Sequence, residues 1–133
     1  MIPIRAAILL CLAAALGLAP GASANSGKGD EKGGAYVRIE PITVNLFDLS
    51  QYLQIALSAK GGSPEAAARL VERMPMVRHA LILLLSSQHS EEILTPKGKT
   101  MLLDKLKKAI NGAIKLDGHD GVEDVVMESF IVQ

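Results

Sequence analysis

Gly98-Lys99-Thr100 has the residue types that close a phosphate-binding loop, where backbone amides and a lysine hold a nucleotide's phosphates. Such a loop also needs a glycine five residues upstream of Gly98, and position 93 is Ile. Thr95-Pro96 is moreover a cap-plus-proline helix start, which places the tripeptide in a first helical turn. His79, His89 and His119 are the candidates for metal ligation or proton transfer. No two of them stand at i, i+4, and none lies beside carboxylates in the manner of a zinc site. Asp117, Asp120, Glu123 and Asp124 lack the alternating spacing of a calcium loop. Ser86, Ser87 and His89 supply nucleophile and base types, yet no G-x-S-x-G turn exposes a serine oxygen. No pair of carboxylates falls in the apolar setting that makes one of them a general acid. The single cysteine, Cys11, lies in an N-terminal apolar run, so the folded part has neither disulfide nor thiol nucleophile. These residues predict a protein without catalysis, cofactor or metal.

Composition points the same way. The chain has 133 residues, enough for one domain. Lys+Arg and Asp+Glu both number 14, so bulk charge gives no reason to expect a nucleic-acid partner. With no Trp, two Tyr and two Phe, platforms for stacking bases or sugars are also missing.

Three stretches organise the chain. Arg5, the apolar run Ala6–Ala19, the breaker Pro20-Gly21 and the small residues Ala22-Ser23-Ala24 stand in the order of an export signal. As a helix, Ala6–Ala19 spans roughly 21 Å at 1.5 Å per residue. That is short of the roughly 30 Å hydrocarbon core. Residues 1–24 therefore read as a signal peptide cut between Ala24 and Asn25, with a short signal anchor as the competing reading. Leu10 before Cys11 speaks against a lipoprotein. Residues 25–34 are Gly, Ser, Asn and charge, a flexible linker. Residues 35–133 form the folded domain.

Within it, Tyr36–Leu46 reads as a strand whose apolar parity switches at Pro41, which predicts an edge position or a bulge. Phe47–Ser50 connects it to a second strand, Gln51–Ala59, in an antiparallel hairpin. Ser63-Pro64-Glu65 opens a helix with Ala67, Leu70, Val71 and Met74 as its inner face and Arg69, Glu72 and Arg73 outward. Pro75 should kink or restart it. Leu81–Leu85 are consecutive large apolar residues, which predicts a buried central helix over Met76–Ser87. Ser90-Glu91-Glu92 caps a short turn through Leu94. Thr95-Pro96 then opens a last helix with Leu102, Leu106, Ala109, Ile110 and Ala113 inward. Its end falls at Asn111-Gly112 or at Lys115. Lys97, Asp104, Lys105, Lys107 and Lys108 make its other side a Lys-rich solvated face, with anionic head groups or an acidic partner as alternatives. Asp117–Gly121 is a turn-rich loop. Val122–Gln133 is apolar at both parities, which predicts a strand covered on both sides. The fold class is α+β: a β-hairpin, central helices and a C-terminal strand.

Val44-Asn45-Leu46, Tyr52-Leu53, Met74-Pro75 with Arg78, and Ile82 with Leu85-Ser86 follow one another in a familiar order. With Gly98-Lys99, Leu102, Ile110-Asn111 and the ending Phe130–Gln133, they make the chain resemble the flagellar basal-body-associated FliL family. The resemblance runs from Tyr36 to Gln133 and rests on order and spacing. It implies a stomatin-like periplasmic domain at the flagellar motor, serving motility and chemotaxis by binding or tuning the stator units, without catalysis. It also implies assembly into homo-oligomeric rings and a place at the periplasmic face of the inner membrane. Two departures stand out: members usually carry a full membrane-spanning helix, and His79 occupies a position where an acid often follows the arginine. A soluble periplasmic paralogue serving another envelope complex is the alternative.

A protein that acts by contact needs directed donors on its surface. Arg73 and Arg78 flank Pro75 and would sit near His79, and arginine is enriched where interfaces carry binding energy. Arg73, Arg78 and His79 are therefore the expected partner-binding residues. For the N-terminus, protein recovered from the periplasm is expected to begin at Asn25. An intact mass that retains Met1–Ala24 would instead establish the anchor.

Overall fold

The computed structural model describes residues 34–133. The export signal and all of the linker but Gly34 lie outside the described residues. The elements are β1 (Tyr36–Asn45), β2 (Tyr52–Gly61), α1 (Pro64–Glu72), α2 (Met74–Ser86), α3 (Ser90–Ile93), α4 (Pro96–Ile114), a 3₁₀ turn (Gly118–Asp120) and β3 (Val122–Val132). The three strands form one antiparallel sheet in the order β1-β2-β3, with β2 central. The class is α+β, with the hairpin, central helices and C-terminal strand that the residue pattern predicts.

Pairing follows the apolar parity. Val44 faces Leu53, Ile42 faces Ile55, and Ile39 faces Leu57 across the hairpin. The register shifts between Ile39 and Ile42, so Glu40-Pro41 form a bulge on an edge strand. A proline lacks the N–H that a ladder demands, and an edge bulge is where that lack costs least. On the other side Leu53, Ile55, Leu57 and Ala59 face Val132, Phe130, Met127 and Val125.

Helices cover this one face. Ser63 accepts a hydrogen bond from the Ala66 N–H at 3.1 Å, and Pro64 takes the first helical position, so α1 starts as its sequence dictates. Thr95 caps α4 in the same way through the Gly98 N–H at 2.9 Å. The core joins Ile39, Ile42, Leu53, Ile55 and Leu57 of the sheet to Leu70, Val77, Leu81, Leu85, Leu102, Leu106, Ile110 and Ile114 of the helices. α4 runs through Asn111-Gly112 and ends on Lys115, whose left-handed backbone (φ 57°) turns the chain. The Asn111 side chain then accepts the Val122 N–H at 2.7 Å, fastening the helix to the start of β3. A Cβ on Gly121 would stand 2.5 Å from that Asn111 oxygen, so a side chain there would have to displace the tie.

Three faces differ from their sequence expectation, and one cause explains them. The domain has two layers, so each element is covered on one side only. On α2 the covered stripe is Val77, Leu81 and Leu85, while Met76, Ile82 and Leu83 are exposed. The central helix is thus half enclosed, despite being apolar almost all round. On α1 the buried residues are Ala66 and Leu70, and Val71 is 64 % exposed. Strand β3 is an edge strand with an open outer face, where Val126 and Ile131 meet solvent. That outer face is tied by polar contacts: Arg38 pairs with Glu128 at 3.5 Å, and Ser58 donates to the same carboxylate.

Leu85→Ala is expected to cost roughly 2–5 kcal/mol, the usual range for emptying a buried leucine site. Leu83→Ala, two residues away, should stay within about 0.5 kcal/mol because its side chain meets solvent. Urea midpoints of the two variants check the assignment of the helix faces.

Candidate interaction site

The α1–α2 junction is a single residue wide. Arg73 is both the C-cap of α1 and the N-cap of α2 (φ −99°, ψ 18°), and Pro75 occupies the first turn of α2. Proline is tolerated there because first-turn amides lack a helical acceptor. On either side of this break, neighbouring arginines reach different targets. Arg73 Nε donates to the Ala113 carbonyl at 2.7 Å, and Arg69 Nη1 reaches the Ile114 carbonyl at 3.4 Å. Both acceptors belong to the last turn of α4, where carbonyls are left unpaired and the helix dipole is negative. The side of α1 expected to face solvent therefore secures the end of α4.

Arg78 goes the other way. Its Nη1 donates to the Glu40 carbonyl at 2.7 Å, and its Nη2 approaches the Pro41 carbonyl at 3.5 Å. These are bulge carbonyls on the free edge of β1, which no strand pairs. A guanidinium there satisfies the edge and obstructs strand addition. His79 is exposed on the next position. Of the three residues expected to bind a partner, Arg73 and Arg78 hold carbonyls of this chain and His79 is open to solvent.

The helix-start reading of Gly98-Lys99-Thr100 holds. A Cβ on Gly98 would lie 1.7 Å from the Glu92 carbonyl oxygen, so this glycine admits the close approach of α3 to α4. Lys99 lies 5.0 Å from the Phe130 ring centroid, and the Thr100 hydroxyl donates to Pro96 O at 3.2 Å. Among the described residues no three His, Cys, Asp or Glu side chains gather as a metal site would require. No helix among them is long and apolar enough to cross a membrane.

A second cluster sits at the hairpin tip, which the sequence presented only as a connection. The Phe47 N–H donates to the Gln88 carbonyl at 3.0 Å, tying the tip to the end of α2. Ser90 Oγ donates to Asp48 Oδ2 at 2.7 Å, and His89 Nδ1 lies 3.8 Å from Asp48 Oδ1. The Phe47 and His89 rings meet at 4.4 Å between centroids. Serine, histidine and aspartate are therefore together, but not as a nucleophile and its base. Ser90 is 5 % exposed and its hydroxyl proton goes to the carboxylate, whereas a triad needs it on the imidazole. The cluster locks a loop. One sequence signal could have marked the tip: Phe47-Asp48-Leu49-Ser50 contains no Gly or Asn for the positive φ that a tight hairpin turn favours.

The domain is thus a two-layer α+β unit whose arginines fasten its own helix end and strand edge, and which leaves Phe47, Leu49, Ile82 and Leu83 exposed. The profile of the flagellar basal body-associated protein FliL matches residues 36–133. The chain is 30 % identical over 105 residues to the flagellar protein FliL of Aquifex aeolicus (strain VF5), an alignment covering 77 % of this chain and 63 % of that relative. It is 30 % identical over 103 residues to the flagellar protein FliL of Escherichia coli (strain K12), covering 74 % of this chain and 64 % of that one. The chain thus belongs to the FliL family and spans somewhat under two thirds of the length of these relatives.

If Arg73 stabilises the end of α4, Arg73→Ala should lower stability by about 0.5–1.5 kcal/mol, the net worth of such a hydrogen bond. Arg78→Ala should cost less, since its acceptors lie at an exposed edge where water can replace the guanidinium. Thermal or urea unfolding of the two variants side by side tests the order.

Proposed function

We propose that this protein is a non-enzymatic accessory of the flagellar basal body that binds the torque-generating stator units and tunes them in motility. The observation that carries the reading is the family match over residues 36–133, which takes in every strand and helix of the domain. The site geometry supports action by contact. Ser63, Thr95, Arg73, Arg78, Ser90 and Asp48 serve as caps, ties and a loop lock, while His79, Ile82 and Leu83 leave one side of α2 exposed. In this reading Arg73 anchors the helix break to the end of α4, Arg78 anchors α2 to the β1 bulge, and His79 with the free edge of the Arg78 guanidinium meets the stator. Residues 1–24 export the domain, residues 25–34 tether it as a linker, and copies assemble into a ring at the periplasmic face of the inner membrane.

Deletion of the gene should shrink the swarm, and the full chain supplied in trans should restore it. His79→Ala is expected to keep the wild-type melting temperature and to reduce recovery of stator protein on the tagged chain. Normal swarming of the deletion strain, with no stator protein recovered on the wild-type chain, would overturn the proposal.

A further inference from the structure

The hairpin tip combines two features that folding alone does not require. Leu49 adopts a left-handed backbone, φ 57°, and is 74 % exposed. A left-handed conformation crowds the Cβ of any side chain, and glycine or asparagine bears it better than leucine. Such strain at an exposed, water-facing leucine is an outlier of the kind that marks a binding position. Phe47, 62 % exposed, stands beside it. Together with Val44, Leu46, Ile82 and Ser86 they line an open groove of about 670 Å³ between β1 and α2.

Phe47 is also a wall of a second recess, of about 550 Å³, formed with Asp48, His89, Glu91 and Glu92. Among the described residues neither Glu91 nor Glu92 makes a salt bridge, and Asp48, which accepts from Ser90 and stands 3.8 Å from His89, pairs with no Lys or Arg. Apolar groove and acidic recess thus share one aromatic wall. We propose that this surface docks a segment of a partner protein that carries apolar residues next to lysine or arginine. The apolar side chains enter the groove against Phe47, Leu49 and Ile82, and the basic ones face Asp48, Glu91 and Glu92. Charge complementarity selects this occupant: an acidic segment or an anionic membrane would meet three carboxylates at the rim. The proposal rests on the reading that this protein works by contact, but its test reads binding directly and is independent of swimming.

The probe is a fluorescein-labelled 12-residue peptide of alternating leucine and lysine, titrated with the full chain and followed by fluorescence anisotropy. A leucine–glutamate and a serine–lysine peptide of the same length serve as counterparts. The leucine–lysine peptide should bind at least tenfold more tightly than either counterpart, and its binding should weaken with added salt. Leu49→Asn should lose at least tenfold in affinity while its melting temperature stays level or rises, since it relieves the strained backbone. Glu91→Lys with Glu92→Lys, both at exposed positions, should shift preference toward the leucine–glutamate peptide. Equal binding by wild type and Leu49→Asn, no preference among the peptides, or a lowered melting temperature of Leu49→Asn would each overturn the proposal. Self-association in sedimentation that Leu49→Asn abolishes would assign the groove to a second copy and overturn it as well. Binding to phosphatidylglycerol vesicles that Leu49→Asn abolishes would assign it to lipid, with the same consequence.

Discussion

Val77, Leu81 and Leu85 recur at every fourth position of α2, and the rest of the structure depends on where that stripe is buried. The stripe joins the same core as Leu102 and Leu106 of α4 and Ile42 and Ile55 of the sheet. Successive residues on a helix are rotated by about 100°, so burying this stripe turns Ile82 and Leu83 away from it. A two-layer domain has no third element to receive them. The exposed side of α2 is a direct consequence of how the core closes, and it makes the domain apolar where it meets its surroundings. Beside it, the short link between β1 and β2 carries Phe47 and Leu49 to the end of α2, where the Gln88 carbonyl fixes the tip.

The polar residues complete what the core leaves open. A helix end, an edge bulge and a tight loop each leave backbone or side-chain groups that need partners, and this chain meets them with long cations and short hydroxyls. Arg69 and Arg73 answer the last turn of α4, Arg78 answers the β1 bulge, and Ser90 answers Asp48. The family that the chain belongs to is described by its association with the flagellar basal body.

How much of this was legible beforehand differs from residue to residue. The hairpin, the Ser63-Pro64 and Thr95-Pro96 helix starts, the Pro41 bulge and the inner residues Leu102, Leu106 and Ile110 follow from local chemistry, and each stands where the pattern puts it. Capping needs a side-chain oxygen within three residues, a bulge needs one missing N–H, and periodicity is a property of one element. Such causes act along the chain, so the sequence carries them. The resemblance to FliL, resting on order and spacing over Tyr36–Gln133, agrees closely with the matched residues 36–133.

What only the tertiary structure decided is which side of an ambiguous element is covered and where each long side chain reaches. Leu81–Leu85 and Val122–Val132 are apolar in several directions, and no periodicity can choose among them. The choice depends on how many layers the chain builds, which is a property of all the elements at once. Arg73 and Arg78 are five residues apart, yet one reaches the Ala113 carbonyl and the other the Glu40 carbonyl, at distances along the chain that no local rule spans. The hairpin tip shows the same limit from the other side. Phe47-Asp48-Leu49-Ser50 reads as a short connection until folding brings His89, Ser90 and Ile82 beside it, and proximity between separate segments is what turns a connection into a surface.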